Sequence, residues 1–256
     1  MEPAMRAGIV FDEGRFPRAK IGFVLLSSEQ TIESDMMRWA PEGVGVHFSR
    51  GVNPDEITAE NLGGMLDSLA PAAAVLAPNA GLDVICYACT SGSVVMGEDA
   101  VCAALREGSP SAITTTLISG VFAALEAVGA RRIVVGTPYL DEVNSIEYNY
   151  MTERGVEILN LEGLNITNDS DMVRVAPTYL RDFAISLDRP DADAVFISCG
   201  ALRTMDVIDE IETAINKPCI TSNQAMLWNC LRLAGINDPI DGLGRLFSSP
   251  QGSEPT

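Results

Sequence analysis

Short apolar runs dense in Val, Ile and Leu recur at residues 21–26, 44–48, 82–88, 112–116, 132–136, 156–161, 194–198 and 218–221. Between them lie longer stretches whose apolar positions return with helical spacing. A strand with one wet face alternates apolar and polar residues, whereas a strand buried on both faces is apolar throughout. These runs are of the second kind, and their separation by helical segments predicts parallel sheets covered on both faces. The pattern places the chain in the α/β class.

The pattern also repeats. Asp83-Val-Ile-Cys-Tyr-Ala-Cys89 and Asp193-Ala-Val-Phe-Ile-Ser-Cys199 each run from an Asp to a Cys six residues later. Ile21 and Ile133, Ile113-Thr114 and Ile220-Thr221, and Gly129 and Gly235 recur at similar offsets, in the same order of strands and helices. Such a duplication predicts two doubly wound lobes related by a pseudo-twofold, with the site in the cleft between them. Lobe 1 is expected to comprise residues 1–112 plus 219–256 and to carry Cys89; lobe 2, residues 113–218, carries Cys199. Ligands of open parallel sheets bind beyond the carboxyl ends of the strands, where both cysteines fall. Residues up to 20 read as an irregular arm, and the Ser-, Pro- and Gly-rich residues 248–256 as a disordered tail.

Composition narrows the partners. The 256 residues are 47% hydrophobic, enough for buried cores. The formal charge of −18 disfavours nucleic acid and anionic membrane surfaces. Small molecules or further copies of the chain remain. No stretch approaches a membrane span, and residues 1–11 lack the apolar length of a signal peptide. The six cysteines then read as reduced thiols in a cytoplasmic protein.

Cys89 leads into Thr90-Ser91-Gly92-Ser93 and a helical segment, and Cys199 into Gly200-Ala201 and another. A thiol in the turn before a helix lies near free N–H groups and the positive end of the helix dipole, which favour thiolate. Cys86 and Cys89 form a Cys-x-x-Cys, but Cys86 falls inside the strand and no further ligands stand at zinc spacing. The single histidine, His47, sits within an apolar run, which removes the usual base of Ser or Cys hydrolases. No glycine-rich nucleotide loop occurs, so no cofactor or metal is expected. Thr90, Ser91 and the backbone of Gly200 offer hydroxyls and N–H groups beside the thiols, suited to holding a carboxylate and an enediolate. Tyr139, after Gly136-Thr137-Pro138, is placed to reach the same cleft.

These elements resemble the aspartate/glutamate racemase superfamily, in its branch of maleate cis–trans isomerases, arylmalonate decarboxylases and the ectoine-utilisation protein A group. The segments that carry the resemblance are residues 88–93, 136–139, 198–203 and 221–225. It implies a two-lobed, cofactor-independent cytoplasmic enzyme, a homodimer or larger, acting on a small carboxylate with Cys89 and Cys199 as the catalytic pair. It further implies that Thr90, Ser91, Tyr139, Gly200 and Asn168 bind substrate. Arylmalonate decarboxylases are similar but have glycine in place of Cys89, so the presence of both thiols argues against a dedicated decarboxylase.

One departure bears on substrate. The first strand-to-helix turn reads Ser27-Ser28-Glu29-Gln30-Thr31, where maleate isomerases resemble Ser-Ser-Asn-Thr-Thr. Glu29 is either a solvated acid at a helix start or a cleft residue, and in the second case a cationic nitrogen suits it better than a second carboxylate. The ectoine-utilisation group, which is similar at this turn, is the nearest resemblance. The leading expectation is racemisation or isomerisation beside a carboxylate by a two-thiol acid/base pair, in ectoine catabolism. The alternatives are maleate-type isomerisation through a covalent thioether, arylmalonate-type decarboxylation, and a non-catalytic protein that binds a small acid.

Overall fold

The structure is a computed structural model and describes residues 9–248; the expected tail, apart from Ser248, lies outside the described residues. Eight strands form: β1 (Ala19–Leu26), β2 (Val44–Gly51), β3 (Val84–Tyr87), β4 (Ile113–Thr116), β5 (Arg132–Thr137), β6 (Glu157–Gly163), β7 (Ala194–Ile197) and β8 (Cys219–Thr221). Each coincides with one of the apolar runs. The helices of the first half are α1 (Ile32–Trp39), α2 (Ala59–Gly63), α3 (Leu66–Ala74), α4 (Thr90–Met96), α5 (Glu98–Gly108) and α6 (Leu117–Ala127). Those of the second are α7 (Asp141–Glu153), α8 (Asp169–Met172), α9 (Pro177–Leu187), α10 (Ile208–Ile215), α11 (Ser222–Leu233) and α12 (Gly244–Ser248).

Two four-stranded parallel sheets result, in the orders β2-β1-β3-β4 and β6-β5-β7-β8. The same strand order appears twice, as the duplication requires. The opening Asp of each repeat fastens its sheet. Asp83 Oδ2 accepts from the N–H of Lys20 at 2.8 Å, and Asp193 Oδ2 accepts from Arg131 and Arg132 at 2.9 and 2.7 Å. These acids hold the start of the central strand of each sheet, a role unconnected with the cysteines that follow.

The division expected at residues 112/113 and 218/219 cuts each sheet one strand early. β4 pairs with β3 in register Val84 with Ile113, so it completes the first sheet, and β8 pairs with β7 and completes the second. The backbone ladder assigns these strands; an apolar run alone does not say which neighbour it pairs with. Helices α6 and α11, which follow β4 and β8, pack on each other, and α11 also touches β3 and β4. Their contact is close: a Cβ on Gly120 would lie 3.0 Å from Ala225 O. Both helices start from a threonine cap, Thr116 accepting from Ser119 N and Thr221 closing a capping box with Gln224.

The helix expected after Cys89 is split in two by Gly97, whose φ of +82° suits glycine. That after Cys199 begins as a 3₁₀ turn, Thr204–Val207, before α10.

Candidate active site

Parallel strands β3 and β7 deliver Cys89 and Cys199 to their carboxyl ends, and both thiols line one narrow cavity. Each residue is 7% exposed. The other walls are Leu26, Glu29, Ile32, Ile57, Ala88, Ser91, Tyr139, Asp169, Gly200 and Ala201. The space at the centre is about 20 Å³, room for roughly one water molecule. Even a four-carbon acid therefore requires the walls to part.

The two thiols are held differently. Cys89 caps α4 in extended backbone, and its Sγ accepts from Gly92 N at 3.3 Å and lies 3.7 Å from Ser91 Oγ. Cys199 has φ +101°, a conformation that side-chain-bearing residues seldom adopt. Its N–H donates to Ser222 Oγ at 2.9 Å, and its Sγ accepts from Ala201 N at 3.4 Å. Ser222 Oγ also shares a 2.9 Å hydrogen bond with Thr90 Oγ1. One hydroxyl thus joins the turn after β3 to the turn after β7.

Of the residues expected at the site, Cys89, Cys199, Ser91, Tyr139, Gly200 and Glu29 line the cavity. Thr90 and Asn168 do not. The Thr90 hydroxyl is turned to Ser222 and fully buried, so it holds the framework. Asn168 is half-buried, bridged to Glu56, and starts α8; the next residue, Asp169, enters the cavity instead. Nothing in Asn168-Asp169-Ser170-Asp171 distinguishes the inward acid from its neighbours. Ser222 lies in the 221–225 segment that carries the resemblance, but nothing in that segment marks its hydroxyl as the one that meets both thiol turns.

Burial decides the ionisation of the thiols. It pushes Cys89 up to about 11, against the Gly92 N–H and the Ser91 hydroxyl, with the Asp169 charge adding to the rise. Cys199 is raised further by burial and Asp169, opposed by the Tyr139 hydroxyl and the Ala201 N–H. The expected thiolates are therefore thiols in this narrow cavity. A helix terminus stabilises charge modestly, whereas full burial shifts a pKa by up to several units.

Glu29 points inward, 4% exposed. Its carboxylate accepts from Thr31 N at 2.7 Å and Ile32 N at 2.9 Å, at the start of α1. Burial raises it to about 7 despite those bonds, and Asp169 adds to the shift. Asp169 is 3% exposed; its Oδ2 accepts from Ser28 Oγ at 2.6 Å. Two side chains grip the Cys199 turn, one from each half: Thr31 Oγ1 donates to Ala201 O and Asn223 Nδ2 to Gly200 O, each at 2.8 Å. Gly200 packs tightly there: a Cβ would meet Ile32 Cδ1 at 2.8 Å and force that side chain to shift. Behind Cys199, Ser198 Oγ donates to Glu147 Oε2 at 3.0 Å. Glu147 Oε1 has no partner among the described residues, and burial raises this carboxyl to about 7.

His47 lies in β2, edge-on to Phe16, and lines no part of the cavity. Among the described residues no cluster of His, Cys, Asp and Glu is arranged to hold a metal, and no helix is long and apolar enough to cross a membrane.

The model of the arylmalonate decarboxylase family matches residues 32–247. The chain belongs to this family of enzymes. It is 30% identical over 235 residues to an arylmalonate decarboxylase of Bordetella bronchiseptica, covering 89% of the chain and 95% of that protein. It is 26% identical over 244 residues to a maleate isomerase of Pseudomonas putida, covering 90% and 97%. The fold matches that of a Nocardia farcinica maleate cis–trans isomerase mutant with a covalently bound succinylcysteine intermediate. That likeness has a TM-score of 0.83 at 23% identity, over 92% of this chain and 99% of the other. The fold of the family thus accounts for the two sheets and the cavity between their strand ends.

Proposed function

We propose that the chain is a cofactor-independent isomerase of a small carboxylate, working through Cys89 and Cys199. The observation that carries this reading is the convergence of two thiols, from equivalent strand ends, on one narrow cavity. The route best supported is cis–trans isomerisation. One thiol gives its proton to the water displaced as substrate fills the cavity, and the resulting sulfur anion adds to an alkene carbon. The alkene electron pair moves toward the carboxylate, forming an enediolate that Ser91 and Tyr139 stabilise with their hydroxyls. Rotation about the new single bond follows. The pair then returns, the C–S bond breaks, and the trans acid leaves with the thiolate restored. Where the carbanionic carbon takes up the proton of the second thiol, the same sulfur takes it back before the C–S bond breaks. Maleate isomerases among the relatives, and the covalent intermediate of the Nocardia protein, support this route.

The test is a panel of small cis-unsaturated acids. Conversion to the trans isomers is expected, with a thioether on the remaining thiol detected by intact-protein mass spectrometry when the other cysteine is serine. A panel that yields neither trans product nor adduct overturns this route.

The equal burial of the two thiols favours a second reading, inversion at the carbon beside the carboxylate, with one thiolate removing a proton and the other thiol returning one. Deuterium entering the α carbon of a chiral acid such as 2,4-diaminobutyrate, in deuterated water, is its expected signature. Unchanged protium there rejects it.

A further inference from the structure

Two carboxyl groups, Glu29 and Asp169, stand in the cavity, and the isomerisation uses neither. Asp169 is 3% exposed, and while its Oδ2 takes the Ser28 hydroxyl, no donor among the described residues reaches its Oδ1. That oxygen faces the narrow cavity and is open to a proton or a cation. Glu29 matters in another way. Its two oxygens already occupy the N–H groups of Thr31 and Ile32, the donors that the start of α1 would otherwise offer to an anion. Among the described residues, no Lys, Arg or His lines the cavity. This end of the site repels a second carboxylate and gives it nothing to bind.

We propose that the cavity selects a small acid bearing a cationic nitrogen, the ammonium seated between Asp169 and Glu29 and the carboxylate turned toward Ser91 and Tyr139. The assignment rests on the two-thiol isomerase reading and names the substrate class for that site. An ammonium is a compact charge with three donors. It meets the open Asp169 oxygen directly and is attracted by Glu29 without displacing its backbone bonds. It also answers the state of the thiols. Asp169 raises Cys89, Cys199 and Glu29 alike, so a cation beside it eases the loss of a thiol proton. Substrate arrival and thiolate formation become linked.

The test uses two matched four-carbon acids, maleate and cis-4-aminobut-2-enoate, which differ in having a carboxylate or an aminomethyl group at one end. Calorimetric titration of the wild-type protein is expected to give at least tenfold tighter binding of the amino acid. D169N and E29Q are each expected to shrink that preference, and a fold check by circular dichroism accompanies both. If D169N does not fold, E29Q carries the comparison. Equal or tighter binding of maleate by the wild type, or no binding of either acid, overturns the proposal. Turnover of the same two acids separates this proposal from the reading beneath it. Faster isomerisation of maleate defeats the cation and leaves the isomerase, whereas selective binding of the amino acid without conversion of either defeats cis–trans isomerisation and leaves the cation.

Discussion

The backbone of Cys199 is the most strained feature of the cavity, and its strain is stored where a thiol must be aimed. Exchanging a buried alanine for glycine ordinarily costs stability, by about 0.5–1 kcal/mol in a regular element. At position 199 the order should reverse: Cys199→Gly is expected to unfold at a higher urea concentration than Cys199→Ala, because only glycine is relaxed at φ +101°. The usual order would show that the turn carries no strain. Glu147 offers a second test at this scale. Burial pushes its carboxyl up to about 7, above the usual 4.5, so the folded state binds a proton that the unfolded state has released across that interval. Its contribution is intact below about pH 4.5 and is lost as pH rises toward 7. The shift corresponds to something on the order of 3 kcal/mol, and E147Q should flatten the decline in unfolding free energy between pH 5 and 8. The cysteines were legible at this scale because duplicated Asp-to-Cys runs marked them. Asp169, Ser222 and Glu147 were not, since their roles come from meeting partners across the two halves.

Between elements, contacts across the halves govern the cavity. Ile57 N donates to Thr167 O and Asp169 N to Asp55 O, at 3.0 and 2.9 Å, so residues 55–57 are stitched to residues 167–169 beside the site. With space for one water, the cavity must open to admit substrate, and these bonds are among those in its wall. Amide exchange at Ile57 and Asp169 should therefore slow when a substrate or product is bound and the walls close on it; unchanged rates would place the opening elsewhere. The α6–α11 crossing is tighter still. Gly120→Val should destabilise the protein by roughly 3 kcal/mol in denaturant titration, since even a single Cβ meets Ala225 O at 3.0 Å. The inner strands could be read from their apolar runs because both faces are buried, while the edge strands β2, β4 and β6 are only partly covered and were read from shorter apolar stretches. Their partners could not: β4 and β8 close the sheets they follow, a fact set by the ladder to β3 and β7.

For the whole molecule, duplication places two thiols in one cavity while the surroundings of each remain its own. The pseudo-twofold relates β3 to β7, yet Cys89 caps a regular helix and Cys199 sits in a strained turn pinned by Ser222. In both halves burial outweighs the N–H groups that reach the sulfurs, so the thiols stay protonated. Alkylation of Cys89 by iodoacetamide should accordingly rise about tenfold per pH unit from 7 to 9, as expected when the thiolate fraction is far from saturation. The measurement that tests the central claim most directly follows cis-4-aminobut-2-enoate by proton NMR with wild-type protein, Cys89→Ser and Cys199→Ser. The account predicts conversion to the trans acid by the wild type and a loss of at least a thousandfold in each variant. Near-normal conversion by either variant would contradict it.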